Sequence, residues 1–265
     1  AIIYYTPYGW DPHLYFATPT LNNCTVSGNT AGGSGGGLAT GSVGITIANQ
    51  TTIEGNTARN GGGVATNGSF FVVGLSAATT LNGCTVSGNT ATENGGGLST
   101  GGLGVTSANG TAITGNTAVD GGGVFTKGAT FVTYSYPDGI INVDENGETD
   151  LSGCTVTGNT ASGDGGGVGN GELGVTSVSR TRIMYNSADS GGGLANSGLL
   201  NVDSCSISYN QATSKGGGLS TTAGRANLVD SVITGNLVNS PGAALGGGVF
   251  SEDSILSMAR CQIAL

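Results

Sequence analysis

The chain has 265 residues, 53 of them glycine, with 16 acidic against 7 basic side chains. The basic footprint of a nucleic-acid binder and the polybasic cluster that holds an anionic membrane are both missing, and no run of 18 apolar residues spans a bilayer as a helix. Glycine at this level without a three-residue period ordinarily signals disorder, but here the glycines recur at fixed offsets from apolar residues, so an ordered repeat is expected.

The first twenty residues lie outside that repeat. They hold Tyr4, Tyr5, Tyr8, Trp10, Tyr15 and Phe16, together with His13, the single histidine. An arm this aromatic is too apolar to float in water. It is expected to cover the first repeat or to lie on a neighbouring copy, with His13 as a capping residue and not a general base. The chain begins at Ala1, without an initiator Met or a signal-peptide pattern, and is expected to be a processed or excerpted chain.

From Leu21 onward the sequence repeats. Glycine triplets end at Gly37, Gly63, Gly97, Gly123, Gly167, Gly193, Gly218 and Gly248. Each follows an asparagine: Asn29, Asn56, Asn89, Asn116, Asn159, Asn186, Asn210 and Asn236. Three residues before the asparagine stands Val or Ile in every repeat, from Val26 and Ile53 to Ile233. Eight before it stands Leu, Ala or Val, and directly after the glycines stands Leu or Val. Columns of one residue type mean that equivalent positions are stacked on each other. Where no insertion intervenes the period is 24 to 27 residues, one coil of a parallel β-helix. Alternation in Thr-Val-Ser and Thr-Ile-Glu points Val and Ile inward. The expected fold is all-β, a right-handed parallel β-helix of eight to nine coils over 21–265, a rod roughly 38 Å long at the ~4.8 Å spacing of paired strands.

The asparagines are expected to form a structural ladder, each donating to a carbonyl of the next coil and accepting from a local amide. The glycines are expected at corners, where φ > 0 or close approach of neighbouring coils excludes a Cβ. Five residues before the asparagine the column alternates Cys24, Thr51, Cys84, Thr111, Cys154, Thr181, Cys205, Ser231 and Cys261. The unit is thus a pair of coils. Cysteines in alternate coils lie about 9.6 Å apart, two strand spacings, beyond the ~7 Å a disulfide tolerates, so free, buried thiols are expected. Insertions are expected at 70–79 and 134–150, after the second and fourth coils and leaving from one side of the rod.

The motif Cys24-Thr-Val-Ser-Gly-Asn-Thr-Ala31, followed by Gly35-Gly-Gly-Leu38, resembles the glycine-rich repeats of polymorphic outer membrane proteins. The resemblance runs from about Leu21 to Arg260, with Val or Ile where that family carries Phe. It implies a secreted β-helical passenger with surface or adhesive roles.

The residue before each triplet is acidic in two adjacent coils, Asp120 and Asp164, with Glu93 and Asp189 near. The pair is a weak Ca²⁺ candidate or the acidic pair of a carbohydrate-active β-helix enzyme; a solvated corner is the plainer expectation. Asp138, Asp144, Glu145, Glu148 and Asp150 are expected on a flexible acidic loop. Asn23, Asn49, Asn67 and Asn109 head Asn-x-Ser/Thr glycan acceptors. Tyr185 and Tyr209, which replace glycine in neighbouring coils, are expected to stack or to present a sugar platform. Together these features support a non-catalytic extracellular or cell-surface structural β-helix, associating end to end and carrying glycans, with an adhesin acting through the inserted loops as the alternative. No cofactor other than Ca²⁺ is expected.

Overall fold

A computed structural model describes residues 5–6, 9–10, 18–68, 76–135, 139–240 and 245–264. It is a parallel β-solenoid of about eight turns. Each of the second to eighth coils gives one strand to each of four sheets; in the third coil these are Ala78–Asn82, Thr85–Ser87, Thr90–Asn94 and Leu98–Gly101. Numbered 1 to 4 in that order, the sheets hold nine, nine, seven and eight strands among the described residues, and in each the strands follow coil order.

The register is that of the sequence columns. Leu21, Ala48, Leu81, Ala108, Leu151, Val178, Val202, Leu228 and Met258 are successive partners in sheet 1. Val26, Ile53, Val86, Ile113, Val156, Ile183, Ile207, Ile233 and Ile263 are partners in sheet 2. The sheet 2 column from Ile53 to Ile233 is fully buried. Each such side chain is worth ~1.5–3 kcal/mol in burial, and the column makes one continuous core. At the two ends the same columns are only half covered, at Leu21 and Val26 in the first coil and at Met258 in the ninth, and so is Leu256, which stacks on Ala226 in sheet 1.

Single left-handed residues turn the chain between sheets. The corner between sheets 2 and 3 uses Gly115 at φ 62° in the fourth coil and Tyr185 at 57° in the sixth. The triplets combine the two expected reasons for glycine. Gly121 has φ 62°, whereas Gly122 has no such angle but sits so near the next coil that a Cβ would lie 2.5 Å from the carbonyl oxygen of Thr160 and 2.7 Å from that of Gly166.

Two expectations need correction. The asparagine side chains reach the preceding coil, not the next, for their carbonyl acceptor. Asn116 Nδ2 donates to the carbonyl of Val86 at 3.0 Å and to Asn159 Oδ1 at 3.0 Å. Its own Oδ1 accepts from the backbone amide of Asn89 at 2.9 Å and from Asn89 Nδ2 at 3.0 Å, so no local amide is involved. The linkage runs unbroken from Asn29 to Asn236. The insertions are also shorter at their C-terminal ends than expected. Thr79 belongs to a sheet 1 strand, as do Glu148 and Asp150 in Gly147–Ser152. The second insertion is an antiparallel hairpin of Ala129–Ser135 with Gly139–Glu145, which carries Asp144 and Glu145 on a paired strand in place of a flexible loop. Asp138 and most of the first insertion lie outside the described residues.

A second buried polar line was not expected. Hydroxyls zigzag between sheets 4 and 1, each donating to the next: Thr126, Thr149, Thr100, Thr106, Thr66, Thr79, Thr40 and Thr46, at alternating 2.7 and 2.9 Å. From the fifth coil Asn170 and Asn196 take over, Asn170 Nδ2 donating to Asn196 Oδ1 at 2.8 Å and Asn196 Nδ2 to Thr221 Oγ1 at 3.1 Å. Among the described residues no buried side-chain nitrogen or oxygen lacks a partner, as a core with so many polar groups requires.

Candidate functional site

By strand alternation the second residue of each sheet 4 strand lies on the face away from the core columns, although Ala195 and Ser220 there are buried. In successive coils from the fourth it is Phe125, Gly169, Ala195, Ser220 and Phe250. Three small residues between two aromatics leave a trench along the axis, a groove of about 560 Å³. Four strand spacings separate the two phenylalanines, ~19 Å at ~4.8 Å per coil. The Phe125 ring lies over Gly169, whose added Cβ would stand 3.0 Å from the ring. At the far end Lys215 Nζ sits 4.7 Å from the centre of the Phe250 ring and 3.1 Å from Glu252.

One wall is the corner column before the glycine triplets, Asp120, Asp164, Ser190 and Lys215. The opposite wall is the turn after sheet 4, with Lys127, Glu172, Ser197 and Thr222. The hairpin is rooted at this second wall, where the Gly128 amide donates to the Glu172 carbonyl at 3.1 Å.

Asp120 and Asp164 are brought together as expected, one coil apart, and the Asp164 amide donates to Asp120 Oδ1 at 2.9 Å. Desolvation in the wall raises the Asp164 pKa above its ordinary value; the Asp120 charge adds to the rise, and a hydrogen bond to Ser190 opposes it. Asp189 is turned to its own hydroxyl partners, Thr213 and Ser214, which hold its carboxyl low. Glu93 pairs with Arg59 at 2.8 Å. Among the described residues no group of three or more His, Cys, Asp or Glu side chains could hold a metal ion. Calcium takes six to eight oxygen ligands, of which the pair supplies a small part.

The glycan acceptors sit in unlike settings. Asn23 is exposed with φ 52°, and its Thr25 is exposed too. Asn49 and Asn109 belong to an outer ladder, in which Asn49 Nδ2 donates to Asn22 Oδ1 at 2.8 Å and Asn109 Nδ2 to Asn82 Oδ1 at 3.1 Å. Their hydroxyl partners Thr51 and Thr111 are buried. Asn67 is half-buried at the end of a sheet 4 strand.

Tyr185 and Tyr209 stack with ring centres 5.4 Å apart and planes 10° from parallel. Tyr209 also covers Gly235 of the next coil. The five cysteines are free as expected, but burial holds only for Cys84, Cys154 and Cys205; Cys24 is exposed and Cys261 half-buried, because both sit in end coils with no coil beyond to cover them among the described residues. Burial raises the thiol pKa of Cys84, Cys154 and Cys205, so these are inert core groups. The alternation has a reason: the Cys154 amide donates to Thr181 Oγ1 at 3.1 Å, while its thiol donates to the Ala108 carbonyl at 3.2 Å. Of the aromatic arm, Tyr5–Thr6 pairs with Gly9–Trp10; Tyr4, Tyr8, His13, Tyr15 and Phe16 lie outside the described residues.

Comparison of the chain with family models, with curated proteins and with solved structures returns no match.

Proposed function

We propose that this chain is a rigid structural module of a cell-surface or extracellular assembly, a non-catalytic rod that presents its outer faces. The observation that carries the reading is the asparagine ladder, continuous through eight coils. Each coil is hydrogen-bonded to its neighbours through side chain as well as backbone, which resists bending and shear along the axis. The outward positions carry short polar side chains, suited to contact with water and to glycan attachment at Asn23. The half-covered Leu256 and Met258, with Ile263 exposed at 54%, sit in columns sealed elsewhere, and a further coil in the same register would bury them. A second copy joined end to end would supply such a coil, a heterologous contact that builds fibres when it does not close.

The test is light scattering of the purified chain over a wide concentration range, with electron microscopy of the same material. Rods that lengthen with concentration support the filament. A compact particle with no rod-like axis removes the structural reading, and single rods at all concentrations remove end-to-end joining.

A further inference from the structure

We propose that the sheet 4 groove binds a linear, neutral oligosaccharide laid parallel to the solenoid axis. The inference goes beyond the structural role and stands on the groove alone. Beyond the Phe125 ring, which lies over Gly169, the groove floor of Ala195 and Ser220 carries only small side chains, so a rigid chain can lie along it. Phe125 offers a half-buried aromatic ring at one end, a surface for the apolar C–H face of a pyranose. The coil repeat of ~4.8 Å is close to the advance of a pyranose along an extended glycan, so each sugar meets a similar corner of wall.

Those corners bear the groups that recognise vicinal hydroxyls. Asp120 and Asp164 accept on one side and Ser197 and Thr222 stand on the other, with Lys127 and Lys215 at the two ends as donors. The two carboxylates in adjacent coils disfavour an acidic glycan, since its charge would face theirs at close range. A peptide strand added to a sheet edge is a poor fit, because the groove floor is the middle of a fully paired sheet and offers no free backbone.

The test is isothermal titration calorimetry of the intact chain with cellohexaose, xylohexaose, mannohexaose and maltohexaose, and with hexagalacturonate as the acidic probe. At least one neutral hexasaccharide is expected to bind at millimolar ligand. Phe125→Ala is expected to weaken it about tenfold, and Asp164→Asn severalfold. Asp164 is exposed and its replacement leaves the core intact, so this variant serves if Phe125→Ala misfolds by circular dichroism. Tyr209→Ala, on another corner of the coil, is expected to leave binding unchanged. The proposal is overturned if none of the four neutral probes binds, if hexagalacturonate binds more tightly than they do, if binding survives Phe125→Ala and Asp164→Asn, or if it is lost in Tyr209→Ala.

Discussion

Asn116→Ala, in the middle of the inner ladder, tests the structural reading most directly. The wild-type side chain takes part in four hydrogen bonds, two donated and two accepted. Asn159 Oδ1 keeps the backbone amide of Asn116 at 2.9 Å, so it is not orphaned. The losses fall on the Asn89 amide N–H and on one N–H of Asn89 Nδ2, while the Val86 carbonyl keeps the strand amide of Thr114 in the sheet 2 ladder. A buried polar group left without a partner costs ~1–3 kcal/mol, so two give about 2–4 kcal/mol after the void admits a water to one of them. Asn29→Ala is the control. Asn29 is exposed and its side chain donates only to Asn56 Oδ1, which keeps the Asn29 amide at 2.9 Å, so its cost should stay below ~1 kcal/mol. Urea unfolding followed by circular dichroism measures both, with hydrogen exchange at Asn89 to show whether coils 3 to 5 open separately, as a one-dimensional array permits. Equal destabilisation by the two substitutions would refute the ladder as a source of stability.

Thr100→Val, which is nearly isosteric, should cost ~1–3 kcal/mol because the Thr149 hydroxyl loses its acceptor and Thr106 a donor; an unchanged melting temperature counts against the hydroxyl chain. Gly122→Ala should prevent folding of the central coils, since its Cβ meets backbone oxygens, whereas Gly115→Ala points into open space and should cost only ~1–2 kcal/mol for its left-handed backbone; soluble yield and melting temperature separate them. The raised Asp164 pKa means that the fold favours the protonated acid, so stability from this group is present at low pH and is lost as pH rises from the ordinary value of ~3.9 through the folded value. Asp164→Asn should therefore melt higher than wild type at neutral pH and equal to it below about pH 3, and a difference that persists in acid would contradict this. Iodoacetamide should label Cys24 in the folded protein, and Cys84, Cys154 and Cys205 only after denaturation; mass spectrometry of digests reads the order.

The inner columns, the asparagine ladder and the cysteine alternation were legible in the sequence because each rests on one residue recurring at the same place in the coil. Stacking converts that recurrence directly into contact, and a β-strand's two-residue period separates inside from outside. The tyrosine stack followed by the same rule. The hydroxyl chain did not, although Thr40, Thr66, Thr100 and Thr126 each stand three residues after a triplet. Their partners lie on a different sheet, on the next strand along the chain at sequence separations of 6, 13, 6 and 23 residues, because the insertions fall between the two strands and hide the period. For the same reason Glu148 and Asp150 passed for loop residues: their outward side chains are acidic, and only the pairing of Gly147–Ser152 with its neighbours places them on a coil.

The sequence by itself thus determined the repeat, its register and the composition of the core, since all three are properties of single columns. Only the tertiary structure decided how columns face one another. It turned two unremarkable outward positions, the small residues of sheet 4 and the acids before the triplets, into the floor and wall of one groove. The physical reason is that the turn angles and insertions set which corners of a coil converge, and no residue carries that angle in its identity.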